Sequence, residues 1–83
     1  MNEDYNKKRI EEILAFNILN RMEEVGVTIP QLAEACEVTP TNIRLLIQGE
    51  QFVGSRVFAC ICNTLNTTPA ELFKERSNEE AIS

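Results

Sequence analysis

The chain has 83 residues, of which 43% are hydrophobic and 25% are charged, and its formal net charge is −5. This length and composition indicate one small folded domain and exclude a disordered or fibrous chain; a ligand-sensing or catalytic module would have to come from elsewhere. No stretch approaches about 18 consecutive apolar residues, and the N-terminus lacks a signal-peptide profile, so we expect a cytoplasmic protein without a membrane segment.

The chain contains three cysteines and no histidine. An odd number of cysteines in a chain without an export signal favours reduced thiols over a disulfide framework. Cys60 and Cys62 are two residues apart, so on a helix their side chains diverge and form a poor metal site. We therefore expect Cys36, Cys60 and Cys62 to be packing residues, and we expect no metal and no cofactor.

The first periodic segment begins near Lys7 and predicts an amphipathic helix. Its apolar residues recur at spacings of three and four and are Ile10, Ile13, Leu14, Ile18, Met22 and Val25. Gly26 ends this helix, because glycine adopts the left-handed conformation that closes a helix. Residues 1–9 are expected to form an N-terminal arm with a basic cluster, Lys7, Lys8 and Arg9, ahead of the helix.

Two short helices follow, and each begins at a threonine. Thr28 is the predicted N-cap of the second helix, in which Leu32, Ala35 and Cys36 form the inward face and the small Ala33 permits close approach of a neighbour.

Thr39 is the predicted N-cap of the third helix, which spans about residues 39–48 with Pro40 at its first position. Ile43 and Leu46 form its buried edge, and Gly49 ends it.

Two further helices complete the predicted domain over residues 10–76. The fourth begins with Ser55 as its cap and ends near Asn66, and its apolar positions are Val57, Phe58, Ile61, Cys62 and Leu65. Thr68 and Glu71 predict a capping box for a short fifth helix. Residues 77–83 have no periodicity and are expected to form a frayed tail.

Residues 28–49 meet the spatial requirements of a helix-turn-helix, in which the second helix enters the major groove of DNA. The chain resembles the Cro/CI phage-repressor family over roughly residues 19–73. The resemblance rests on the segments LAE at 32–34, VTPTNI at 38–43, Gly49 and LNTTPAELF at 65–73. It implies an all-α bundle of five helices, similar to lambda repressor, in a phage or prokaryotic DNA-binding regulator.

The resemblance also assigns roles to individual residues of the helix-turn-helix. It implies base-edge contacts at Pro40, Thr41, Arg44 and Leu45. It implies phosphate contacts at Thr28, Ile29, Thr39, Asn42 and the loop after Gly49. The sequence departs from the family at Glu37, where glycine is usual, so that residue has an unfavourable backbone geometry or the turn is altered.

Two functions remain open at this point. The first is a dimeric, sequence-specific transcriptional regulator that binds double-stranded DNA; Arg44 is equally well explained as a solvated or Glu-paired arginine. The second is a protein-interaction module, an antirepressor or modulator, because the chain is acidic and Ile29, Leu45 and Ile47 offer an apolar surface that Phe52 and Val53 extend. The alternative for this surface is that Ile47, Phe52 and Val53 pack inward.

We favour DNA binding because the order and spacing of the motifs fit it. The sequence has neither a nucleophile with a plausible base nor a glycine-rich phosphate loop, so we do not expect an enzyme. We expect a homodimer through the fourth and fifth helices around Phe58, Cys60 and Phe73, with Cys60 facing outward.

Overall fold

The computed structural model describes residues 3–75, with side chains from Arg9 onwards. Its five helices are α1 (Glu3–Val25), α2 (Ile29–Cys36), α3 (Pro40–Ile47), α4 (Ser55–Thr64) and α5 (Pro69–Leu72). Helix α3 packs against α1 and α2, α4 packs against α2, and α5 packs against α1. The predicted all-α, five-helix fold is confirmed, and the described residues include no strand. The predicted tail over residues 77–83 lies outside the described residues.

Helix α1 begins earlier than the hydrophobic pattern predicts. It begins at Glu3 rather than near Lys7, so the predicted arm is helical from Glu3 onwards and the basic cluster belongs to the helix. Acidic residues favour the first turn of a helix through its macrodipole, whereas an apolar stripe marks only the part that is buried. The stripe is buried at Leu14, Ile18 and Met22, while its two ends, Ile10 and Val25, are 49% and 38% exposed.

Three of the helices begin with a threonine cap and have proline at the first or second helical position. The hydroxyl oxygens of Thr28, Thr39 and Thr68 accept the backbone N–H of the third residue on, at 3.3, 3.2 and 3.2 Å. At Thr28 the box is reciprocal, because its own N–H donates to Gln31 Oε1 at 2.9 Å. Each cap satisfies a helix N–H that has no partner within the helix. Helix α4 differs from the prediction: its cap is Gly54 rather than Ser55, and no side chain bonds to its first turn.

Four of the helices end in the same left-handed closure. The residues with positive φ are Gly26, Glu37, Gly49 and Asn66. In each case the next residue donates its N–H to a carbonyl five residues back: Val27 to Met22, Val38 to Ala33, Glu50 to Leu45 and Thr67 to Cys62, all at 2.9–3.0 Å. These are Schellman motifs. Glu37, at φ 59°, therefore occupies a position that suits glycine and bears the steric strain of a side chain there.

One hydrophobic core joins all five helices. Its fully buried large side chains are Leu14, Ile18, Leu32, Ile43, Leu46, Ile61, Leu65 and Leu72. On α2 the buried residues are Leu32, Ala33 and Cys36, so Ala35, which we predicted to face inward, is exposed. Helix α2 packs against both α3 and α4, and the small Ala33 is part of the core on its inward side.

Two polar side chains of α1 hold the C-terminal part of the fold. Asn17, which is 2% exposed, donates Nδ2 to the carbonyl oxygens of Leu72 and Lys74, each at 2.7 Å. Arg21 donates to the carbonyl oxygens of Leu65 and Asn66 at 2.8 and 2.9 Å. A cation at a helix C-terminus also interacts favourably with the macrodipole. The two residues thus fasten the end of α4 and the end of α5 to α1.

Candidate nucleic-acid interface

Helix α3 has one buried and one outward face. Ile43 and Leu46 are 0% and 1% exposed and face the core. The residues on the opposite side, Thr41, Arg44 and Gln48, are exposed, and Leu45 is half-buried. A spacing of three to four residues places these four side chains on one helix face. The fold therefore presents a row of mixed polar and apolar side chains along a short helix that its neighbours leave uncovered.

The residues predicted to contact phosphate cluster at the N-terminal ends of α2 and α3. Thr28 and Thr39 are exposed, and each hydroxyl oxygen accepts a capping bond while its proton stays free to donate to a phosphate oxygen. Ile29 packs against the core and has no donor side chain. The Asn42 amide oxygen accepts from Gln51 at 3.3 Å, which ties the loop after Gly49 to the first turn of α3 and leaves the Asn42 amide group as a donor.

The residues predicted to contact bases lie on α3. Pro40, Thr41 and Arg44 are exposed and Leu45 is half-buried. Arg44 makes no ion pair or hydrogen bond with any residue that the structure describes, so its guanidinium is solvated rather than paired with a glutamate. A free guanidinium can donate two parallel hydrogen bonds to the O6 and N7 atoms of guanine.

Sequence reasoning missed two exposed donors, one at the end of α3 and one at the start of α4. Gln48 is exposed at the C-terminal end of α3, where its amide is able to bond to a base or a phosphate. Arg56 is exposed in the first turn of α4, and it too makes no ion pair within the described residues. The signal for Arg56 was the register of α4: its inward positions are 57, 58, 61 and 62, which leaves residue 56 outside.

The apolar surface predicted around the helix-turn-helix is smaller than expected. Ile29, Ile47 and Val53 pack against the core, whereas Phe52 is 46% exposed. The ring centre of Phe52 lies 6.0 Å from that of Phe58, which in turn lies 5.5 Å from that of Phe73. Of the three residues expected either to extend an apolar patch or to pack inward, Ile47 and Val53 pack against the core and Phe52 is exposed. The three residues proposed for a protein partner, Ile29, Leu45 and Ile47, are all half-buried, and Ile29 and Ile47 pack against the core.

The charge around the helix-turn-helix is nearly balanced. Residues 28–56 contain three glutamates and two arginines, so most of the net charge of −5 lies elsewhere. In the basic cluster Arg9 pairs with Glu75, and the side chains of Lys7 and Lys8 lie outside the described residues. Arg21, which donates to the carbonyl oxygens at the end of α4, also pairs with Glu24 at 3.0 Å. Arg44 and Arg56 are thus the cations that this region offers to a phosphate backbone.

The cysteines lie between α2 and α4, away from the outward face of α3. Cys60 is half-buried, contrary to the prediction that it faces outward, because its Sγ donates to the carbonyl oxygen of Ala35 at 3.3 Å. Burial and a hydrogen bond with Cys60 raise the pKa of Cys36 to about 12, and burial raises the pKa of Cys62. All three are free thiols. Within residues 3–75, no three potential metal ligands come together, and none of the helices has the length and apolarity needed to cross a membrane.

Two short helices with threonine caps, joined by a tight turn at Glu37 and Val38, with an exposed face on the second, define a helix-turn-helix protein. Comparison with known proteins agrees. A family model described as the Cro/C1-type HTH DNA-binding domain matches residues 17–74, and the chain belongs to this family. The resemblance predicted from the sequence is confirmed.

One solved structure is similar along most of the chain. It is the crystal structure of the clp gene regulator ClgR from Corynebacterium glutamicum, with a TM-score of 0.77 and 29% sequence identity. The match covers 88% of this chain and 78% of the ClgR chain. No curated protein sequence matches significantly.

Proposed function

We propose that this chain is a sequence-specific DNA-binding transcription regulator that acts as a dimer in the cytoplasm, with helix α3 in the major groove. The observation that carries the proposal is the division of α3 into two faces. Ile43 and Leu46 anchor it, while Thr41, Arg44 and Gln48 stand free on the other side. In a helix-turn-helix this free side meets the base edges, and the first helix crosses the phosphate backbone. The similarity to a gene regulator supports the same function.

Phosphate binding in this proposal uses helix N-termini more than basic side chains. The first turns of α2 and α3 carry N–H groups with a partial positive charge and the hydroxyls of their threonine caps. The first turn of α4 has no side-chain cap, so its N–H groups are available to a phosphate. Arg56 adds a full positive charge beside that uncapped turn. The net negative charge of the chain is therefore compatible with DNA binding, because the attraction to phosphates depends on the local charge at the interface rather than on the total charge.

The test is a selection of duplexes from a random double-stranded library, followed by fluorescence anisotropy titrations of one selected and one scrambled duplex. Arg44→Ala should lower the ratio between the two affinities, because a bidentate bond to guanine provides about 1–3 kcal/mol of discrimination. Arg56→Ala should weaken both duplexes alike and reduce the slope of log K against log salt by about 1, as expected for a cation that neutralises one phosphate. Lys74→Ala, an exposed cation on the segment after α5, is the matched control and should change neither.

The proposal is wrong if no duplex is enriched, or if Arg44→Ala leaves the ratio of affinities unchanged. The alternative, a module that binds a protein through the same face, is less well supported than the sequence indicated. Two of its three residues, Ile29 and Ile47, pack against the core. A partner that still binds after Leu45→Glu would argue against that alternative as well.

Dimerisation is assigned to the row of rings formed by Phe52, Phe58 and Phe73. The outer two rings are 46% and 39% exposed, which leaves apolar surface for a second copy. We expect Phe73→Asp to shift the protein toward monomer in sedimentation velocity and to weaken binding to a two-half-site duplex more than to a single half-site. An unchanged sedimentation coefficient together with unchanged binding would place the dimer interface elsewhere.

A further inference from the structure

The outward face of α3 carries apolar side chains beside its hydrogen-bond donors. Thr41, Arg44 and Gln48 supply the donors, and all three are exposed. Pro40 and Leu45 have no polar side-chain atom. Thr41 and Leu45 are one turn apart, so the γ-methyl group of Thr41 and the half-buried Leu45 form a short apolar strip on one side of Arg44. The exposed Pro40 ring lies on the other side of Arg44, one turn before it.

This strip is too small to be a docking surface for a protein. Ile29 and Ile47 are half-buried against the core, and the polar Arg44 and Gln48 lie on the same face as Leu45, which limits the apolar surface around it. A small apolar strip on a helix that enters the major groove meets one apolar feature there, the C5-methyl group of thymine. Arg44, one residue from Leu45 and four from Pro40, is placed to bond an adjacent guanine.

We propose that Leu45, together with Pro40 and the methyl group of Thr41, recognises thymine methyl groups in the major groove, next to a guanine bound by Arg44. This inference rests on the proposed function and specifies what the site reads. Discrimination at these positions then depends on van der Waals contact with a methyl group rather than on hydrogen bonds to a base edge. Deoxyuridine, which pairs like thymidine but lacks the methyl group, distinguishes the two modes.

The experiment uses the full chain and the duplex selected above. Each thymidine of the site is replaced in turn by deoxyuridine, and Kd is measured by fluorescence anisotropy. At one or two positions we expect the Kd to rise about fourfold, the factor that corresponds to one methyl group that no longer touches the protein. In Leu45→Ala the same replacement should change Kd by less than about 1.5-fold, since the leucine that would touch the methyl group is then already missing. Leu19→Ala, an equally truncated exposed leucine on α1, should keep the fourfold effect.

The outcomes separate the inference from the function on which it rests. If no duplex is enriched, the proposed function fails and the inference fails with it. If a duplex binds but deoxyuridine has no effect at any position, or if the site contains no thymine, methyl recognition is overturned while DNA binding stands. If the deoxyuridine effect persists in Leu45→Ala, the assignment to Leu45 is wrong. Circular dichroism melting of both leucine variants shows that they are folded.

Discussion

The link between α1 and α5 yields the sharpest prediction, because one buried side chain makes it. Asn17→Asp keeps the size of the side chain but replaces its amide donor by a carboxyl group that faces the carbonyl oxygens of Leu72 and Lys74. Two hydrogen bonds worth about 1 kcal/mol each are removed. A buried charge without a partner is added, and such changes cost about 3–5 kcal/mol in all. Against a total stability of about 5–15 kcal/mol, the variant should fold but be much weakened.

The pH dependence of the destabilisation identifies its cause. Burial and the two carbonyl dipoles raise the pKa of the introduced carboxyl group above its unfolded value of about 3.9. A group with a raised folded-state pKa is best tolerated when it is protonated, and the stability of the variant falls as the pH rises through that pKa. The protonated form also keeps one O–H to donate to Leu72. The gap in unfolding free energy between the native chain and the variant should therefore widen from pH 5 to pH 8.

Urea unfolding followed by circular dichroism at pH 5 and pH 8 measures this gap. Asn20→Asp is the matched control, because Asn20 lies one turn further along α1, is half-buried and makes no hydrogen bond with the described residues. Its gap should be below about 1 kcal/mol at both values of pH. A destabilisation by Asn17→Asp below about 1 kcal/mol at pH 8, or one that is the same at both values of pH, would refute the reasoning.

Four further predictions concern the stability of the helix-turn-helix, each measured by urea unfolding. Leu46→Ala empties a site in the core and should cost about 2–5 kcal/mol. Glu37→Gly relieves the strain at φ 59° and should stabilise the protein by about 0.5–1 kcal/mol; a decrease in stability would show that the Glu37 side chain is needed. Thr39→Ala removes the cap of α3 and should cost about 1 kcal/mol, with Thr39→Ser nearly neutral. Because the folded-state pKa of Cys36 is raised to about 12, its contribution is complete below the unfolded pKa near 9 and should disappear as the pH rises from there, an effect absent in Cys36→Ala.

The positions of the helices could be predicted closely because their signals are local. A threonine cap acts on an N–H three residues away, and a left-handed closure joins residues five apart, so residues 28–49 contain nearly all the information that places α2 and α3. At Glu37 the sequence lacks the glycine that usually marks such a turn, yet the turn forms in the same left-handed conformation. The prediction failed at the start of α1, which lies ahead of the apolar stripe, and at the start of α4, where no capping side chain bonds to the first turn.

The candidate interface was only partly predictable. The outward position of Thr41, Arg44 and Leu45 followed from the spacing of Ile43 and Leu46 along one helix. Whether Ile29 and Ile47 pack against the core stayed open in the sequence, because both are apolar residues at the boundary of a helix face, where a neighbouring helix decides which side is covered. Arg44 was correctly placed, but its lack of an ion pair depended on where every glutamate lies in space.

The sequence by itself determined the five helices, most of their ends and the helix-turn-helix, since each depends on residues within one or two turns of each other. Tertiary structure alone decided which polar groups are buried and which are free to bind. Asn17 meets a carbonyl 55 residues away, Arg21 meets one 44 residues away, and Cys60 turns toward Ala35 25 residues back. Such contacts leave no periodic trace in the chain, because they depend on the packing angles of whole helices rather than on the spacing of side chains along one helix.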